Sequence, residues 1–105
     1  DSAVNPYLSM AGLIKAMDHG LDAQLDPGPP EERNIYEAMR EGKDVKKIPM
    51  NLGEALDALR ADEVIKSALP GDMFRVFEHY KRDEWERFMA TVTDWDVDEY
   101  LDILP

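Results

Sequence analysis

Residues 5–25, NPYLSMAGLIKAMDHGLDAQL, read as one helix with very little polar surface. Asn5 is a natural N-cap, and Pro6 suits the first helical position, where its missing N–H costs nothing. Lys15, Asp18, His19 and Asp22 fall on one line at i, i+3, i+4 and i+7. Tyr7, Leu8, Met10, Ala11, Leu13, Ile14, Met17, Leu21 and Leu25 take most of the remaining circumference. A helix built this way cannot stand alone in water. Either later elements wrap it, or something outside the chain does. The expectation is that the later helices cover much of it, leaving an apolar patch beside residues 7–14.

The rest of the chain is punctuated by helix signals. Residues 26–30, DPGPP, stop the first helix. Residues 31–41 predict a short helix with Ile35, Tyr36 and Met39 on one side and Gly42 at its end. Asn51 and Glu54 have the spacing of a capping box, and the helix they open sets Leu52, Ala55, Leu56 and Leu59 on one face. Asp62 can cap a second short helix, which Pro70 and Gly71 terminate. Asp72 then caps a helix to about Val92. Its apolar stripe runs from Met73 through Phe74, Phe77, Tyr80, Trp85, Phe88 and Met89 to Val92, and Arg75, Glu78, His79, Arg82, Asp83 and Glu86 form the wet face. Thr93 and Asp96 can box a last helix whose inward face is Val97, Tyr100, Leu101 and Leu104. No strand-like alternation of useful length occurs. The predicted fold is all-α: about five helices, two of them long (about 6–25 and 72–92), in a single domain over residues 1–105.

Composition narrows the partners. The chain has 12 Lys+Arg against 23 Asp+Glu, a net charge of −11, which argues against nucleic acid and anionic membranes. It has no cysteine, so disulfides and thiol catalysis are excluded, and a cytoplasmic setting is expected. No run approaches the ~20 apolar residues of a membrane span. The start lacks a signal-peptide pattern and an initiator Met, so the expectation is a piece of a longer protein.

Residues with chemical potential have structural explanations. Asp94, Asp96 and Asp98 open like a calcium loop, but glycine at the sixth position and glutamate at the twelfth are needed; Glu99 and Pro105 stand there instead. Acids at a helix start, where the dipole favours them, are the better account. His19 and His79 have no second His or Cys at ligand spacing and read as surface histidines. Trp85 and Trp95 are expected to anchor the packing of the long helix. Glu31–Glu32 and Asp98–Glu99 are neighbours in sequence and diverge on a helix. Phosphate-loop, nucleophile-elbow and zinc-helix motifs are all absent. No catalytic, cofactor-binding or metal-binding residue is assigned. On these grounds alone the chain is a helical module.

Four motifs in order add a family. NPYLSMAGLIKAMDHGLD resembles the start of the C-terminal helical segment of glutamine synthetases, which reads ANPYL and then a small-residue-rich helix. LDPGPPEERNIYE resembles that family's proline-rich approach to an asparagine–leucine–tyrosine motif, here Asn34, Ile35 and Tyr36. IPMNLGEALDAL resembles its IPxSLxEALxAL, with Asn51 in the place of the capping serine. HYKRDEWERFMATVTDWDVDEYLDILP resembles the tail of its amine-ligating and broader, type III-like bacterial relatives. Together these cover nearly the whole chain.

The resemblance implies a ligase in which ATP phosphorylates the glutamate side-chain carboxylate and ammonia or a small amine displaces the phosphate. It implies ATP and Mg or Mn in the parent enzyme, held by a β-rich domain preceding this segment, and a ring-shaped homo-oligomer. The segment itself would be structural: it would cover that catalytic domain and contribute subunit contacts. It also implies one modification site. In some bacterial members a tyrosine in a D-(R/K)-(D/N)-(L/I)-Y context is adenylylated. Residues 32–36 match four of those five positions, with Glu32 replacing Asp; Gln24 stands where Lys, and Glu31 where an apolar residue, is expected. Tyr36 is thus either a modification site or a packing tyrosine. The rival to the whole reading is an independent helical module that binds a partner through the apolar face of residues 5–25.

Overall fold

The computed structural model describes residues 3–101 and 103. Within them the fold is all-α. Six helices occur in chain order: α1 (Pro6–Asp22), α2 (Ile35–Arg40), α3 (Leu52–Ala61), the single turn α4 (Glu63–Lys66), α5 (Met73–Met89) and α6 (Asp94–Tyr100). Two are long, as expected, at 17 residues each.

Local capping explains most boundaries. Asn5 Oδ1 accepts from the N–H groups of Tyr7 and Leu8 at 3.0 and 3.3 Å, with Pro6 as the first helical residue. Asp62 Oδ1 accepts from Val64 and Ile65 N–H. Thr93 and Asp96 form the reciprocal capping box predicted for them. Two boundaries are closed differently from expectation. Glu54 receives its bonds from Met50 N–H and Asn51 Nδ2 rather than from the Asn51 backbone, while Asn51 Oδ1 caps Glu54 N–H at 2.9 Å as expected. Asp72 makes no capping bond; its carboxylate is drawn aside to Arg75.

The long helices are shorter than the sequence suggests. α1 stops at Asp22 because Gln24 enters the left-handed region at φ 48°. Gln24 N–H then donates to Leu21 O and Leu25 N–H to Gly20 O, a Schellman closure. The same closure ends α2: Gly42, at φ 70°, donates to Met39 O, and Lys43 N–H donates to Ala38 O. α5 ends at Met89, and Thr91 Oγ1 donates back to Arg87 O.

Packing runs along three seams, α1 on α4, α4 on α3, and α3 on α5. Among the described residues the buried hydrophobics are Ala38, Leu56 and Leu69, and Leu56 alone is a large side chain as little as 2% exposed. The molecule is open: it exposes 9322 Å², whereas a compact protein of 12.0 kDa exposes about 6,000 Å². Its radius of gyration, 18.7 Å, compares with about 13 Å for a compact chain of this length.

The expectation that later helices cover α1 is overturned, since none of its residues is buried. α1 meets the body through a small-residue edge. Gly12 sits so close to α4 that a Cβ there would lie 3.9 Å from Ile65 Cγ2. Leu8, Ser9 and Gly12 line one wall of an apolar cleft of about 220 Å³ completed by Leu59, Ile65, Ala68, Leu69 and Phe77. Met10, Leu13, Ile14, Met17 and Leu21, at helical spacing, lie on the opposite side and are exposed.

The split of α5 also differs. Phe74, Phe77 and Trp85 are half-buried, while Met73, Tyr80, Phe88 and Met89 are exposed. Glu78 and Arg82, expected on the wet face, turn toward α3 instead. Glu78 takes the Arg60 guanidinium, and Arg82 donates to Asp57 Oδ1 at 2.7 Å and lies 3.5 Å from Glu78. Helix α5 twists those positions into the seam, and ion pairing makes their half-burial tolerable. Trp95 anchors no core: it is 63% exposed and meets Tyr100 edge-to-face, at 5.8 Å. Leu104, expected on the inward face of α6, lies outside the described residues.

Candidate functional site

Residues 31–36 carry the one position for which the sequence offered chemistry. Asn34, with extended backbone, caps α2 and accepts from Tyr36 N–H at 3.1 Å. Upstream, Glu31 clamps Arg33: its Oε1 accepts from Arg33 N–H at 2.9 Å and from Nε at 2.8 Å, and Oε2 takes Nη2. This side-chain pairing, with the backbone donor behind it, holds the Glu31 carboxyl down to about 2 from an ordinary 4.5. The same pair keeps Arg33 protonated more firmly than usual.

The clamp borders two open hollows. One, of about 440 Å³, lies between Glu31, Arg33 and Ile35 on one side and Asp44, Val45 and Lys46 on the other. The second, about 240 Å³, lies along Asn34, Glu37 and Lys43. Tyr36 lines neither. Its side chain is 78% exposed, so it does not pack under α2; Ala38 is the buried residue of that helix. The expected apolar side of Ile35, Tyr36 and Met39 is therefore divided, because a six-residue helix turns Tyr36 well away from Ala38.

Other sequence candidates remain apart. Asp96 is engaged by Thr93, whose hydroxyl first and N–H second hold its carboxyl below the usual aspartate range. Asp94 and Asp98 share no ligand with it, and Pro105 lies outside the described residues. His19 and His79 are exposed on separate helices. Among the described residues no three His, Cys, Asp or Glu side chains converge as a metal site, and no buried side-chain polar atom lacks a partner.

What the sequence missed is Gly53. A Cβ at this position would stand 2.6 Å from Trp85 Nε1, so the bare backbone of α3 receives the indole of α5. Its only advance signal is a glycine at an unspecified position inside a helix, where it is otherwise unfavourable.

Comparison with known proteins adds what the geometry does not carry alone. Residues 1–100 match the family described as glutamine synthetase, catalytic domain. The glutamate–methylamine ligase of Methyloversatilis universalis is 43% identical over 105 residues, covering 97% of this chain and 24% of that protein. The glutamine synthetase of Thermus thermophilus is 39% identical over 104 residues, covering 96% of this chain and 23% of that protein. A solved structure of a GmaS/ADP complex, conformation 1, superposes with a TM-score of 0.83 at 34% identity, covering 97% of this chain and 23% of that one. The class is thus fixed by sequence and by shape. The chain belongs to the glutamine synthetase family, and it spans about a quarter of the length of the curated relatives it matches.

Proposed function

We propose that this chain is the C-terminal helical segment of an ATP-dependent ligase that joins ammonia or a small amine to the glutamate side-chain carboxylate. The family match over residues 1–100 carries the reading. Similarity to a glutamate–methylamine ligase favours methylamine as a substrate to be tested beside ammonia. The segment's role is structural. It stands against the catalytic part of the same protein and helps form a homo-oligomer, in the cytoplasm; no described helix is long and apolar enough to cross a membrane.

The outward stripe of α1 supports this role. Tyr7, Met10, Ile14, Met17 and Leu21 form an apolar strip on a helix about 25 Å long, and all are exposed. A strip of that size in a chain with so small a core calls for a cover. The catalytic part of the same protein is the cover we assign, over an independent partner, because the relatives are some four times longer than this chain.

ATP and Mg or Mn are implied by the family. The described residues offer no converging ligand set for a metal, and we assign the holding of both groups to the remainder of the enzyme. In phosphoryl transfer the protein's work is positioning and charge neutralisation, and here that work falls to the remainder of the enzyme. Tyr36 is proposed as a modification site on its motif and its exposure.

Two assays test the reading. The full-length protein should form a γ-glutamyl amide with ATP, glutamate and ammonia or methylamine, whereas residues 1–105 alone should not. Turnover by residues 1–105 alone would overturn the structural role. A full-length protein inert with every amine would overturn the ligase. Mass spectrometry of protein from nitrogen-replete cells should find AMP on the Tyr36 peptide, and an unmodified peptide would remove that claim.

A further inference from the structure

We propose that residues 40–50 of one copy dock on α6 of a second copy, an apolar contact steered by complementary charge. This rests on the self-assembly proposed above and names its surfaces. The observation behind it is where unpaired charge collects. Of the 12 Lys and Arg residues, eight form ion pairs within the chain. Among the described residues Lys15, Arg40, Lys46 and Lys47 do not, and three of these four fall between positions 40 and 47.

The anionic counterpart is α6. Its sequence DWDVDEY holds no cation, and Asp94, Asp98 and Glu99 have no ion-pair partner among the described residues. Each region also offers apolar surface beside its charge: Ile48 and Met50 on the first, Trp95, Val97 and Tyr100 on the second, all exposed. Apolar centres with charged rims are the anatomy of protein–protein contacts. Among the described residues neither α2 nor α6 belongs to a packed helix seam, and no ion pair joins residues 40–50 to α6 within one copy. A second copy brings both complements. Because the patches differ, the contact is reciprocated by two copies or propagated around a ring.

Charge swapping in the full-length protein tests this by sedimentation velocity. Lys46→Glu/Lys47→Glu and Asp98→Lys/Glu99→Lys should each weaken self-association about tenfold, with a milder loss for the Gln and Asn/Gln versions, since like charges then face one another. An equimolar mixture of the two charge-reversed proteins should recover assembly to within about twofold of wild type, because each supplies the patch that complements the other. Circular dichroism matching wild type certifies each variant as folded. Folded variants that assemble like wild type, or a mixture that fails to recover, overturn the contact while leaving self-assembly standing. A wild-type protein that stays monomeric at micromolar concentration overturns both.

Discussion

Gly53 on α3 and Trp85 on α5 are in contact through the absence of a side chain. A Cβ built on Gly53 would meet Trp85 Nε1 at 2.6 Å and Cε2 at 2.8 Å, with Asn51 Oδ1 3.3 Å away. Trp85 in turn stacks on Phe88 at 5.8 Å. The cap of α3, its second helical residue and the C-terminal third of α5 are therefore one packing unit.

Gly53→Ala should destabilise the fold by about 1–3 kcal/mol through overpacking, although alanine is favoured over glycine inside a helix by about 1 kcal/mol. The sign is the test. Denaturant titration that shows the alanine variant more stable would mean the seam can open without loss. Trp85→Leu in the same background should recover part of the loss, because the clash is with the indole.

Leu56 is the one large side chain in full burial among the described residues, three positions after Gly53 and so on the same face of α3. Leu56→Ala should cost about 2–5 kcal/mol. Leu59→Ala, at a half-buried position bordering the apolar cleft, should cost less. Equal losses in thermal unfolding would show that the seam is packed more evenly than its burial suggests.

The boundary at Gln24 offers a gain. Gln24 holds φ 48°, a conformation glycine adopts freely, and only its backbone N–H is engaged, by Leu21 O. Gln24→Gly should therefore stabilise α1 by roughly 0.5–1 kcal/mol. Gly42→Gln, at the equivalent position after α2, should do the reverse. A loss of stability in the first variant would mean that the Gln24 side chain contributes more than its backbone strain costs.

The difference between those two positions separates what is legible in a sequence from what is not. Asn5, Asn51, Asp62 and Thr93 were legible because a cap is a local device: one side-chain oxygen reaching two or three residues ahead. Gly42 was legible for the same reason, while Gln24 was not, since a non-glycine residue at positive φ carries no compositional mark. The seams were harder. Glu78 and Arg82 looked like solvated charges, and only the crossing of α3 over α5 turns them toward Arg60 and Asp57. Trp85 and Trp95 looked alike in sequence, yet one meets a glycine across a seam and the other faces outward. The family was legible because four motifs occur in order. Neither composition nor periodicity carries that information.

The Glu31–Arg33 clamp predicts a titration. Its carboxyl is lowered from 4.5 to about 2 in the folded chain, mainly by the Arg33 side chain. A lowered folded value means that the clamp's contribution is fully present above 4.5 and is lost as the pH falls toward 2. Carboxyl NMR should find the Glu31 midpoint near 2, and Arg33→Ala should return it toward 4.5. An unchanged midpoint in that variant would mean that some other group holds the charge.

The strip on α1 separates a piece from a whole. Ile14 is exposed in this chain and lies on the face turned away from α4. Ile14→Glu should therefore leave the helicity of residues 1–105 unchanged and make that chain no less soluble. Under the cover proposed above for the full-length protein, the same change would bury a carboxylate unpaired, at a cost of several kcal/mol. Ligase activity should fall at least tenfold there, the loss accompanied by a lower unfolding temperature, while Lys15→Glu on the adjoining polar strip should leave both within about twofold. The two proteins responding alike would mean that the strip faces water in both, and the apolar surface of α1 would then need another partner.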